Sequence, residues 1–139
     1  MLKLSILEEF KVKEAQKKSI TYTDYFRLIN LIKNDIGKED VSPKRLHHLF
    51  LALTFSLKYT SNDIPENFVR MNSNILITNS EHKKQRIRIV YPGELESNDD
   101  YSIYSLLGFV CLGLKEGEDV TYFNGEKLKQ VRIEKIISH

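Results

Sequence analysis

Tryptophan is absent from this 139-residue sequence, cysteine occurs once, methionine twice, proline three times and histidine four times. The single thiol, Cys111, excludes an intramolecular disulfide and any cysteine-rich metal cage, and it fits a reducing compartment. With three prolines and six glycines there is no Pro-rich or Gly-rich linker, no low-complexity tract and no internal repeat. No apolar run reaches membrane-span length. Leu2, Leu4, Ile6 and Leu7 are interrupted by Lys3 and Ser5 and followed by Glu8-Glu9, which leaves no signal-peptide core, so export is not expected and a cytoplasmic location is. The histidines form no ligand set. His47 and His48 are neighbours that point about 100° apart on a helix, His82 falls in a polar turn and His139 ends the chain. A Walker-type phosphate loop is missing, and nothing connects Cys111 or any serine to a histidine and a carboxylate. The expectation is a protein that is not an enzyme, with no catalytic residue, cofactor or metal of its own.

Charge is nearly balanced. The net value is +2, with 41% of residues hydrophobic, enough for one ordinary core or two small cooperating ones. Residues 1–65 carry an excess of three cations, whereas residues 66–139 carry ten cations and eleven anions. Neither half is a basic nucleic-acid arm.

Residues 2–18 place Leu2, Ile6 and Phe10 four apart with charges between, the pattern of an amphipathic helix. The β-prone Ile20-Thr21-Tyr22 leads to Thr23, an expected N-cap for a helix that puts Tyr25, Leu28, Ile29, Ile32 and Ile36 on one stripe before Gly37 stops it. Ser42 and Pro43 open a second helix expected to run to about Tyr59. The pair makes an antiparallel helical hairpin over about 23–59. Its second helix carries one stripe of Leu46, Leu49, Phe50, Leu53 and Leu57, with Leu51 and Phe55 beside it. A single partner cannot cover that width, so helix 2–18 is expected to pack there as a third helix, or the surplus face to form a homodimer.

Turn-rich Ser61-Asn62-Asp63-Ile64-Pro65-Glu66 marks the change from helical to strand-like periodicity, which divides the chain into a helical domain, 1–66, and a sheet domain, 67–139. Strands are expected at Asn74–Thr78, Gln85–Tyr91, Tyr101–Tyr104, Asp119–Phe123 and Gln130–Ile137, forming an antiparallel sheet with one solvated face and a hairpin turn at Asn124-Gly125. The fold class is therefore α+β. Between the strands lies a glycine-punctuated run, Leu107-Gly108-Phe109-Val110-Cys111-Leu112-Gly113, continuing through Lys115-Glu116-Gly117-Glu118 into Asp119-Val120-Thr121-Tyr122-Phe123. Ser105 can cap a short helix, Gly113 can end it in the left-handed region, and Gly117 can turn the chain into a strand.

With the upstream Val69-Arg70-Met71-Asn72-Ser73 and the Asn124-Gly125 turn, this run resembles the C-terminal domain of the GreA/GreB transcript-cleavage factors, on the side of their short Rnk-like relatives. The resemblance covers roughly Ile20 to Ile137 and is strongest from Phe68 onward. It implies an FKBP-like sheet domain with one short helix that binds RNA polymerase at the secondary channel. Nucleic acid is then met only through the transcription complex, and no membrane is involved. Ser105, Leu106, Leu107 and Gly108 occupy the place of the family's Ser-Pro-x-Gly docking loop, with Leu106 where the motif has proline. The alternative for these four is purely structural, a cap and core leucines. In the family, carboxylates at the tip of a long coiled coil assist a catalytic magnesium in cutting backtracked RNA. Here the tip acids are Asp35, Glu39 and Asp40, the family's Asp-x-x-Glu spacing is missing, and the first arm would span only about 20 Å at 1.5 Å per residue. The expected function is polymerase-binding elongation control without cleavage. The alternatives are a cleavage stimulator using the acidic tip and a general FKBP-like interaction module. His82-Lys83-Lys84-Gln85-Arg86-Ile87-Arg88 adds a basic turn and strand face, suited to phosphate or simply a solvated edge.

Overall fold

The computed structural model describes residues 18–139, so the helix expected over residues 2–18, and with it the third-helix or dimer packing, lies outside the described residues apart from Lys18. The chain divides into two compact units, Met1–Ile64 and Pro65–His139. Among the described residues no helix is long and apolar enough to cross a membrane.

In the first unit, β1 (Ser19–Thr21) runs directly into α1 (Tyr22–Asp35), and α2 (Pro43–Phe55) is followed by β2 (Leu57–Tyr59). The N-cap of α1 is Thr21 rather than Thr23, its hydroxyl accepting the Asp24 N–H at 3.0 Å. Thr21 can serve because it ends the strand with extended backbone, ψ 150°, the geometry a cap requires. Gly37, at φ +88°, turns the chain after α1, and Ser42 caps α2 ahead of Pro43. The second helix stops at Phe55, four residues short of the expected end. The Ser56 N–H and hydroxyl both bond back to the Leu53 carbonyl, at 3.3 and 2.7 Å. Leu57–Tyr59 then pairs in parallel with Ser19–Thr21, so strand hydrogen bonds replace the helical ones that residues 57–59 would have made. Leu28, Ile32, Leu46, Leu49 and Leu53 are buried between the helices, whereas Ile36, Phe50 and Leu57, expected on the same stripes, are exposed.

The second unit is a five-stranded sheet of order β5-β4-β3-β7-β6, where β3 is Asn74–Thr78, β4 Lys84–Val90, β5 Asp100–Ser102, β6 Asp119–Asn124 and β7 Lys127–Ser138. Alternation holds along much of the sheet, and it is broken where Ile89 and Val90 are both buried and where the register of β3 against β7 shifts at Asn74/Ile75 and Leu76/Ile77. Ile75 and Ile77 of β3, Ile87 of β4, and Val131 and Ile133 of β7 are buried, each worth about 1.5–3 kcal/mol. Their neighbours Leu76, Arg86 and Arg132 face the other way. The β6–β7 hairpin closes with Asn124 paired to Lys127, so its two-residue turn is Gly125-Glu126, one position later than expected, with Gly125 at φ +67°. The sheet is antiparallel except for β5, which runs parallel to β4 from Arg88↔Asp100 to Val90↔Ser102.

That departure from the expected all-antiparallel sheet is held by one carboxylate. Arg88 donates to both Asp100 oxygens, Nε to Oδ1 at 2.9 Å and Nη2 to Oδ2 at 2.8 Å. The Glu96 and Ser97 N–H groups donate to Oδ2 at 2.8 and 3.2 Å, and the Ser97 hydroxyl reaches Oδ1 at 3.3 Å. The loop returning to β5 is thereby folded around an almost fully enclosed acid. The Arg88 hydrogen bonds, followed by the Glu96 N–H, hold this carboxyl far below the usual range.

Behind the sheet, α3 (Leu106–Cys111) packs against β5 and β6. Its approach is set by Ser102, whose carbonyl oxygen accepts the Ser105 N–H at 2.8 Å and the Ser105 hydroxyl at 2.6 Å. The same hydroxyl caps the helix by accepting the Gly108 N–H at 3.1 Å. Gly108 lies so close that an added Cβ would collide with the Ser102 carbonyl oxygen.

Two outcomes are expected. Gly108→Ala destabilises the second unit by about 1–3 kcal/mol, read from the urea midpoint, because backbone must move to admit one methyl group. Asp100→Ala leaves enclosed N–H donors without their acceptor and lowers the melting temperature by roughly 5–15 °C at neutral pH. A depressed carboxyl stabilises the fold above its unfolded value, near 3.9, and that contribution is lost as pH falls toward the folded value. The gap between wild type and Asp100→Ala should therefore narrow below about pH 4.

Candidate functional site

The two sequence stretches that carry the resemblance lie against each other. The Val69 N–H donates to the Leu114 carbonyl at 2.9 Å, and the Gly113 N–H donates to the Val69 carbonyl at 2.9 Å. Phe68 and Lys115 form an antiparallel bridge beside them. Val69, Met71 and Ser73 alternate into the core, and Asn72, at φ +68°, turns the chain so that its N–H reaches the Ile89 carbonyl. Gly113 takes φ +78° after the short helix and Gly117 φ +91° before β6, the left-handed positions that their places in the sequence require.

Ser105, Leu106, Leu107 and Gly108, the residues expected to form a docking loop, separate by what they touch. Ser105 and Gly108 face inward to Ser102 and set the backbone. Leu106 and Leu107, both half-buried, line a cleft of about 250 Å³. Ile77 of β3 and Val131 of β7 supply its apolar sheet surface, and Tyr122 and Asn124 of β6 with Lys129 of β7 supply one flank. The β3–β4 turn contributes Asn79, Ser80 and Glu81, and β4 contributes Gln85. Burial, followed by the neighbouring Cys111, raises the Tyr122 pKa, so at neutral pH the cleft presents a neutral phenol. The cleft is thus an amphipathic recess. Its strand residues could not be picked out from the sequence, because Ile77, Tyr122 and Val131 read there as ordinary alternating positions and meet only when the sheet forms.

The hairpin acids differ in exposure. Asp35 is buried and accepts from Lys38 Nζ at 2.9 Å, whereas Glu39 and Asp40 are exposed. That Asp35 hydrogen bond raises the Lys38 pKa. Among the described residues there is no group of three or more histidine, cysteine, aspartate or glutamate side chains able to hold a metal ion.

One contact escaped the sequence reading. His139 bridges Ser73 and the Glu66 carbonyl, with Nδ1 2.8 Å from the Ser73 hydroxyl and Nε2 2.8 Å from the carbonyl oxygen, and the Glu66 carboxylate 3.6 Å from Nε2. A serine, a histidine and a glutamate are thus in line, but Ser73 has no exposed surface and its hydroxyl accepts the Arg70 N–H at 2.9 Å. The group ties the end of β7 to the Val69–Ser73 turn and offers no nucleophile to a substrate. Sixty-six residues separate Ser73 from His139 in the chain, and no local spacing signals the contact.

The basic segment splits. Lys83 pairs with Glu81 at 3.7 Å and Arg88 with Asp100, while His82 sits in the turn at φ +60°. Lys84 and Arg86 are exposed on the outer face of β4.

No curated protein sequence matches the chain. In fold it is similar to a prokaryotic GreA/GreB transcription elongation factor from Nitrosomonas europaea, with a TM-score of 0.67 at 23% identity over 86% of this chain and 97% of that one. Weaker likenesses are to Gfh1 of Thermus aquaticus, TM-score 0.44 at 16% identity over 87% of this chain and 98% of that one, and to GreA factor homolog 1 of Thermus thermophilus, TM-score 0.42 at 14% identity over 86% and 98%. Residues 64–138, more than half of the chain, match the family model described as transcription elongation factor GreA/GreB, C-terminal. The chain therefore belongs to the GreA/GreB transcription elongation factor family.

Proposed function

We propose that this protein binds RNA polymerase through the cleft beside Leu106 and Leu107, near the secondary channel, and modulates elongation without stimulating transcript cleavage. The observation that carries the second half of this reading is the hairpin tip. Of its three acids, Asp35 is turned inward onto Lys38, and the arms are fourteen and thirteen residues long, about 21 and 20 Å. An arm of that reach with two outward acids is poorly equipped to hold a divalent ion in another protein's active site. For the first half, the support is the division of labour in the loop. Ser105 and Gly108 make it rigid without a proline, which leaves Leu106 and Leu107 as half-buried apolar groups that a partner can finish covering. Occupancy of the channel entrance would exclude a true cleavage factor.

The decisive assay uses a stalled, backtracked elongation complex. RNA of unchanged length with the protein present, together with slower cutting when a cleavage factor competes, is the expected result. Shortened RNA that disappears in Glu39→Ala/Asp40→Ala would instead establish cleavage by the tip. Leu106→Glu and Leu107→Glu should each weaken capture of polymerase by tenfold or more, about 1.4 kcal/mol, while the melting temperature stays near that of wild type.

A further inference from the structure

We infer that the outer face of the C-terminal sheet, on the side opposite the core, binds single-stranded nucleic acid directly. Pairing register places the residues, and a register shift between β3 and β7 at Leu76/Ile77 brings Arg132 and Lys135, three apart in the chain, opposite successive outward positions of β3. Leu76 of β3 is flanked by Arg86 of β4 and Lys135 of β7, and the next outward position, Thr78, is flanked by Lys84 and Arg132. Lys84, Arg86, Arg132 and Lys135 are all exposed around half-buried Leu76 and Thr78. Four cations thus come from strands distant in sequence onto one surface, in a unit whose total charge is slightly acidic.

The acids of this face are already engaged. Asp119 pairs with Arg132 at 3.2 Å, and Glu134 accepts the Thr78 hydroxyl at 2.8 Å and pairs with Arg132 at 3.4 Å. Arg88, farther along β4, is held by Asp100 and Glu96. Lys84, Arg86 and Lys135 take part in no ion pair among the described residues. Three unneutralised cations on a sheet surface fit phosphodiester groups.

The same face continues to an apolar end. Phe123 of β6 pairs with Leu128 of β7, and they are 56% and 61% exposed. Leu128 lies four residues from Arg132 along β7, about 13 Å at strand rise. Phe123 is an exposed ring on the same face as the cations, and it can stack on a base only if the base is unpaired, which selects a single strand over a duplex. The cleft residues lie on the opposite face, so this surface is separate from the polymerase-docking reading and is tested with nucleic acid alone.

The experiment measures fluorescence anisotropy of a labelled oligouridine of about twelve nucleotides with the full chain. Three phosphate contacts predict a log–log salt slope near −2, so affinity should fall about ninefold between roughly 50 and 150 mM salt. Lys84→Gln/Arg86→Gln/Lys135→Gln should weaken binding at least about tenfold and flatten the slope, whereas Phe123→Ala should weaken it several-fold and keep the slope. The equal charge change Lys33→Gln/Lys44→Gln/Lys115→Gln should leave affinity within about twofold. Absence of binding at the lower salt, equal loss in both triple variants, a duplex bound as tightly as the single strand, or binding only to anionic vesicles would each overturn the assignment. The salt slope is read on the wild-type chain, so the inference stays testable even if a variant fails to fold.

Discussion

The site depends on one carbonyl oxygen. Ser102 accepts two hydrogen bonds from Ser105 at the end of β5, and Gly108 comes within backbone contact of the same oxygen. Only a residue without Cβ permits that approach, so a single atom of side-chain volume decides where the six-residue helix lies on the sheet. Leu106 and Leu107 are carried to the edge of the cleft by this placement, while Phe109, Val110 and Cys111 are pressed into the core. A proline at position 106 would stiffen the same turn by fixing φ. Here the stiffness comes from a hydroxyl shared between cap and carbonyl.

Other polar contacts hold the rest of the second unit to this point. Asp100 gathers Arg88, Glu96 and Ser97 and thereby fixes the start of the strand that ends at Ser102. The paired backbone bonds between Val69 and the Gly113–Leu114 segment hold the far side of the helix, and His139 fastens β7 to the Val69–Ser73 turn. The Asp100 bonds and the Ser73–His139 bond are partly buried with their partners in place, the condition under which polar groups rigidify a core instead of weakening it. The two faces of the sheet thus acquire different surfaces, a recess beside the helix and a basic field with an aromatic end.

Most elements were legible in the residues. Asn74–Thr78 is the strand expected, and Ser105, Gly113 and Gly117 take the cap and left-handed roles that their types suggest. The misses share a cause, which is that local preference was overruled by a partner elsewhere in the chain. Leu57 fits a helical stripe, but the cap at Ser56 and pairing with Ser19 make it a strand residue. Thr23 is as good a cap as Thr21, and the strand that Thr21 terminates decides between them. The parallel run of β5 has no periodic signature, because it follows from the carboxylate that folds the preceding loop.

What the sequence determined by itself was the fold class, the family, and the order of caps, glycines and strands, because those rest on side-chain type and on interactions within a few positions. What only the tertiary structure decided was which side chains share a surface. Leu106 with Tyr122 and Val131 at the cleft, Arg86 with Lys135 across Leu76, and Asp35 drawn inward onto Lys38 instead of outward with Glu39 and Asp40 are all matters of register and burial. Register is set by the whole sheet closing on its core, and a shift of one residue would exchange every face.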